Sequence, residues 1–264
     1  MPTLTGMRRR GYTPRSIRNF AERIGVSKAA SVVEFSFLEH CLREDLGAIS
    51  QRAMPVLRPM ELVITNYPAD QSETFQIENN PEDPESGTRP VTFSKTLCIE
   101  AEDFMEEPVK KYNRLFPGNY VRLKGAHIVR CTGCEKDADG NMIRVFAEYD
   151  PDLPAGSTPE GIKVRGTIHW VDINTAVDAT VRLYDNLFSD PDPDAADKDF
   201  LSCLNPNSLE VLSNCKVEAG FAEAQAPANF QFLRTGYFCV DSVESRPGNL
   251  VFNRSVALKD SFKK

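Results

Sequence analysis

Apolar positions in the first fifty residues recur at helical spacing. Thr13 is a candidate N-cap with Pro14 at the first helical position. Ile17, Phe20 and Ile24 then follow three or four apart, and Gly25 supplies a stop. A second helix is expected to open at "SVVE", where Ser31 and Glu34 have capping-box spacing. Leu38, Cys41, Leu42 and Leu46 carry its apolar stripe, which fades near Gly47. After about residue 55 the pattern shortens to that of strands, at 60–66, 91–99, 120–131, 142–149, 162–171, 179–184, 209–212, 230–240 and 250–258. "KDADGNM" is a hairpin turn in which Asp139-Gly140 can take positive φ. "PADQSETFQIENNPEDPESGTRP" reads as a long polar loop, and the acidic, proline-rich 189–199 as an exposed connection. The pattern predicts a mainly β protein with a helical N-terminal segment and about ten strands, enough for one or two β-barrels.

Composition narrows the class. The chain has 264 residues, 41% hydrophobic and 26% charged, which fits a soluble globular protein. No apolar run approaches the ~20 residues that span a bilayer, and "MPTLTGMRRRGYTP" lacks the apolar core of a secretory signal. Seven irregularly spaced cysteines without an export signal predict reduced thiols and a cytoplasmic protein.

Charge changes the picture more. The formal charge is −7, yet residues 1–28 carry seven basic groups and one acid, and residues 108–130 carry six and none. The remainder therefore holds 18 basic and 37 acidic residues. Nucleic-acid binding follows the local patch rather than the net charge. "KKYNRLFPGNYVRLKG" sets Lys110, Lys111, Arg114, Arg122 and Lys124 among Tyr112, Phe116 and Tyr120. A positive groove with stacking rings is how small barrels hold single-stranded nucleic acid. "NFQFLRTGYFCVD" adds Gln231 and Arg234, beside aromatic residues that a core strand would explain by itself.

Other chemistry finds little support. Cys131 and Cys134 form one CxxC, but zinc needs four ligands and no second pair exists. "DADGN" lacks the flanking helices of a calcium loop. There is no phosphate-binding GxxxxGK[ST], and the three histidines, His40, His127 and His169, show no ligand spacing.

Longer stretches carry a resemblance. "LTGMRRRGYTPRSIRNFAERIGVSK", "LEHCLREDL", "QRAMPVLRPMELVITNY", "VRGTIHWV", "RLYDNLFSDPDP", "DFLSCLNPNSLEV", "FQFLRTGYFCVDS" and "FNRSVALKDS" resemble the C-terminal half of the glutaminyl-tRNA synthetases, in the family's order over nearly the whole chain. The resemblance implies a helical connecting subdomain at 1–50 and two β-barrels of the ribosomal L25 type, at 51–160 and 161–264, with strands free to interleave. It implies a monomer that binds tRNA-Gln and reads its anticodon. Arg52, Arg114, Arg122, Lys124, Gln231 and Arg234 fall on the family's anticodon-contacting positions. Lys111 joins this set although a Gln is usual there. Asn113 stands in place of a Lys, and Glu82 in place of an Asn.

The HIGH-like and KMSKS-like motifs of the family's ATP site are absent, and "GVSK" at 25–28 sits at a helix end with no nucleotide fold before it. The expectation is a chain without a cofactor, inactive in aminoacylation alone, whose parent uses ATP and magnesium in an N-terminal catalytic domain. The nearest alternatives are the corresponding half of an archaeal or eukaryotic-type glutamyl-tRNA synthetase and a stand-alone L25-like RNA-binding protein.

Overall fold

The computed structural model describes residues 3–28, 32–195 and 198–259. Three helices precede the strands: α1 (Leu4–Arg9), α2 (Pro14–Ile24) and α3 (Phe35–Ile49). Thr13 caps α2 as expected, its side chain accepting from the Ser16 N–H, and Gly25 ends it at φ 67°. α1 was not expected: it is six residues long and buries no side chain, so it leaves no apolar stripe to read. The capping box assigned to Ser31 lies outside the described residues. Glu34 is the N-cap of α3 and makes no side-chain capping bond, so this helix starts later than "SVVE".

Among the described residues, fifteen strands follow in chain order. They are β1 (Gln51–Ala53), β2 (Pro59–Ile64), β3 (Ser72–Glu78), β4 (Thr88–Ser94), β5 (Thr96–Glu100), β6 (Tyr120–Leu123), β7 (Ile128–Lys136) and β8 (Met142–Tyr149). Then come β9 (Gly166–Ile168), β10 (Val171–Asp172), β11 (Val177–Tyr184), β12 (Leu209–Val217), β13 (Asn229–Phe232), β14 (Gly236–Val240) and β15 (Leu250–Ala257). The protein is mainly β, with three α-helices among the described residues. Most of the expected strands are present, but several are divided. The segment 91–99 is two strands, because the chain leaves one sheet and joins another at Lys95. The polar stretch expected to be a loop contains β3, paired in full with β4. "KDADGNM" makes its hairpin, with Lys136 facing Met142 and Gly140 at φ 83°.

The chain divides into two compact units. The first comprises residues 1–50, 180–213 and 225–264, and the second 51–179 and 214–224. In the first, α2 and α3 lay Ile17, Phe20, Leu38, Leu42 and Leu46 against Tyr237 and Val256 of the sheet. Five strands of that sheet run β13-β14-β15-β11-β12.

The second unit holds a seven-stranded sheet in the order β10-β5-β2-β8-β7-β6-β9. Its two edges are separated in sequence only by His169 and Trp170, so the sheet is strongly curled. The two-stranded sheet β3-β4 supplies Phe75 and Phe93. Phe93 is fully buried and meets Tyr67, Phe75, His127 and Trp170 edge-on, at centroid distances of 5.3, 5.8, 5.3 and 5.2 Å. The indole Nε1 of Trp170 donates to the Lys124 carbonyl at 3.1 Å, tying this core to the backbone of the basic stretch.

Candidate nucleic-acid interface

In the second unit, "KKYNRLFPGNYVRLKG" is an ordered loop followed by β6. Leu115 is fully buried and anchors the loop; its N–H donates to the Asp103 carbonyl at 2.9 Å, and its carbonyl accepts from Met105 at 3.0 Å. Arg114 reaches the buried Asp103 carboxylate at 3.0 Å and Glu102 at 3.2 Å. The stretch is acid-free in sequence, but folding brings two acids from the preceding turn to Arg114. Gly166 packs against this loop so closely that an added Cβ would lie 1.8 Å from the Asn113 carbonyl oxygen.

Strand alternation then sorts β6. Val121 and Leu123 are fully buried, while Tyr120, Arg122 and Lys124 take the other face. Arg122 donates to the Thr158 hydroxyl at 3.2 Å. Lys111 and Lys124 are exposed, and among the described residues neither has a carboxylate within 4 Å. Cations elsewhere on this acidic chain include many in ion pairs, as Arg89 is with Glu218 and Arg144 with Glu61. Arg130 on β7 and Lys163 and Arg165 before β9 extend the exposed basic surface. Sequence reading did not assign the last two; the parallel pairing of β9 with β6 brings Arg165 to the start of β6, near Tyr120 and Arg122.

Arg52 lies apart from that loop, on β1. Its side chain is 7% exposed and pairs at 3.1 Å with Glu82, which is 76% exposed. The acid that stands in place of the family's Asn is thus a partner of Arg52.

Gln231 and Arg234 belong to the first unit. β13 pairs with β14 from Asn229–Cys239 to Phe232–Gly236, leaving a three-residue turn with Arg234 in it. Phe230 and Phe232 point into the core, as expected, and Phe232 stacks on Phe238 at 4.1 Å. Gln231 takes the opposite face. Its Oε1 is buried, and among the described residues it has no hydrogen-bond partner. An orphaned buried acceptor has a cost that a ligand donor would remove.

Two of the candidates share an unusual backbone. Lys111 has φ 71° and Arg234 has φ 66°, and among the described residues they are the only non-glycine residues with positive φ. Left-handed backbone costs an L-residue ~1–2 kcal/mol unless its surroundings impose it. Neither Lys nor Arg has the short side chain that eases this conformation in Asn or Asp.

The remaining polar features are structural. Cys131 is fully buried at a bulge of β7, and burial pushes its thiol up to about 11. Burial also raises the Cys134 thiol. Among the described residues, no group of three or more His, Cys, Asp or Glu could hold a metal ion. His127 bonds Glu73 at 2.7 Å inside the aromatic core, and His169 is 2% exposed. Among the described residues, no helix is long and apolar enough to cross a membrane.

Comparison with known proteins gives one answer for both units. Residues 50–150 and 167–241 match two models described as the anti-codon binding domain of class I (E and Q) tRNA synthetases. All seven candidate residues lie inside these ranges. The chain is 51% identical over 264 residues to the glutamine–tRNA ligase of Clostridium kluyveri, covering all of this chain and 47% of that protein. It is 52% identical to the enzyme of Colwellia psychrerythraea, again over all of this chain and 47% of the relative. For Bordetella pertussis the figures are 53% identity, 99% of this chain and 44% of the relative. The chain thus spans about half the length of these relatives. It belongs to the class I glutamyl- and glutaminyl-tRNA synthetase family and carries that family's anticodon-binding domains.

Proposed function

We propose that this chain binds tRNA-Gln and reads its anticodon, as the C-terminal part of a glutamine–tRNA ligase. Phosphate neutralisation by Lys111, Arg122 and Lys124 supplies affinity. Hydrogen bonds from Arg52, Arg114, Gln231 and Arg234 to splayed base edges supply choice. The observation that carries this reading is the left-handed backbone at Lys111 and Arg234. Strain at non-glycine residues concentrates at ligand-contacting positions, where the surroundings over-determine it.

The finer architecture belongs to the same proposal. Residues 1–50 act as a connecting subdomain, and the segments 51–160 and 161–264 build two barrels of the ribosomal L25 type with interleaved strands. The chain acts as a monomer in the cytoplasm. ATP and magnesium serve the catalytic domain of the parent enzyme, and this chain alone makes no aminoacyl-adenylate.

The test compares binding of tRNA-Gln and an anticodon-swapped transcript by Arg234→Ala and Gln231→Ala. Each substitution should reduce discrimination by about 1–3 kcal/mol, the contribution of one bidentate pair. Unchanged discrimination in both variants would remove these residues from base reading.

A further inference from the structure

The outer face of β6 and its neighbours holds an aromatic side chain that the candidate set does not use. Tyr120 opens β6 on the same face as Arg122 and Lys124, half-buried, opposite the fully buried Val121. Its register partner on β7 is Arg130, which is exposed. On the other side β9 pairs in parallel, setting Arg122 beside Thr167, and Arg165 immediately precedes that strand. Among the described residues, neither Arg130 nor Arg165 has a carboxylate within 4 Å, and the Tyr120 phenol has no hydrogen-bond partner. Glu148, the register partner of Arg130 on β8, bounds the face on that side. The result is a ring held by a strand, with guanidinium groups to either side along the sheet that form no ion pair among the described residues.

We propose that Tyr120 is a base-stacking residue of the RNA interface, with Arg130 and Arg165 as flanking phosphate contacts. The inference rests on the tRNA-binding reading above and adds a specific stacking position to it. A ring on a strand has only two side-chain torsions to freeze, so it offers contact area at low entropic cost. Every base has a π-face, so stacking adds affinity without choosing sequence. Arg122 on the same strand, Arg130 on β7 and Arg165 before β9 place positive charge on three sides of the ring, where a backbone running past a stacked base can be neutralised.

A bland alternative is that Tyr120 is there for strand preference alone, because aromatic and β-branched residues both favour strands. Tyr120→Val separates the two. It keeps β preference and removes the ring. The experiment titrates the 264-residue chain into a fluorescently labelled anticodon stem-loop of tRNA-Gln, followed by anisotropy at several salt concentrations. Tyr120→Val should weaken binding by roughly five- to a hundredfold, while Tyr120→Phe and Tyr120→Trp stay close to wild type. Tyr120→Val should weaken the cognate and an anticodon-swapped loop alike. Arg130→Gln and Arg165→Gln should each flatten the plot of log affinity against log salt by about 0.7, the value for one lost single-strand phosphate contact.

Wild-type affinity in Tyr120→Val, or equal losses in Tyr120→Val and Tyr120→Phe, would overturn the stacking role while the tRNA-binding reading stands. An unchanged salt slope in both arginine variants would overturn their phosphate role. Absence of binding by the wild-type chain would instead overturn the underlying reading, and the inference with it.

Discussion

At the scale of single residues, two positions fix the geometry that the proposed function needs. Gly166 leaves no room for a Cβ against the Asn113 carbonyl, a backbone atom that cannot swing away. Gly166→Ala should therefore displace the loop carrying Lys111 and Arg114, or cost about 1–3 kcal/mol as overpacking does. Chemical denaturation with a parallel RNA titration reads both effects. Unaltered stability and affinity would show that the loop yields freely. In the other unit the Asp241 side chain is fully buried and meets Arg9 at 2.8 Å and Asn253 at 2.6 Å. Burial alone would raise its carboxyl pKa. The hydrogen bonds from Arg9, Asn253 and the backbone of Glu244 and Val243 outweigh burial and hold it well below the ordinary carboxylate range. A depressed native pKa contributes stability that is complete above the unfolded value of about 4 and lost as pH falls below it. Asp241→Asn should flatten that acid-side loss in a urea-midpoint series between pH 6 and 3. It should also lower stability at neutral pH by about 1–3 kcal/mol, because Arg9 loses its buried partner and keeps only the half-exposed Glu244. A variant with the wild-type pH profile would assign the acid sensitivity elsewhere.

At the scale of elements, the hairpin of β13 and β14 carries the sharpest conflict between stability and function. Arg234 stands at φ 66°, where glycine is the residue of least cost. Arg234→Gly should leave the hairpin intact and raise stability by about 1 kcal/mol, while abolishing the residue's share of anticodon discrimination. A thermal melt beside a two-transcript binding assay checks it. Loss of stability in this variant would mean that the arginine holds the turn rather than a base. The elements also show what was legible in sequence. The Thr13 cap, the Gly25 stop and the Asp139-Gly140 hairpin were readable because each depends on local backbone chemistry. β3 was hidden because only Phe75 and Ile77 of its seven residues are apolar and only Ile77 is buried, too short an alternation to stand out from the polar stretch around it. The break at Lys95 was hidden because two sheets share one apolar run. The candidate site was read mainly through resemblance, since charge pattern alone marked a basic face but no pocket. Two things escaped both routes: the pairing of Arg114 with Asp103 and Glu102, and the arrival of Arg165 beside β6. Each depends on a fold-back that linear charge counting does not see.

At the scale of the whole molecule, an acidic chain binding a polyanion is the feature that needs physical explanation. The net charge of −7 opposes RNA at long range, and the unpaired cations act only within about a Debye length, ~8 Å at physiological salt. Affinity should therefore fall steeply with salt, and RNA that cannot place a loop on the basic face should bind weakly. Its central claim is that the chain distinguishes anticodons. The most direct measurement is the affinity of the 264-residue chain for tRNA-Gln and for the same transcript with its anticodon replaced, at matched salt. The account predicts clearly tighter binding of tRNA-Gln, with the gap persisting as salt rises and both affinities fall. Equal affinity for the two transcripts at every salt concentration would contradict it.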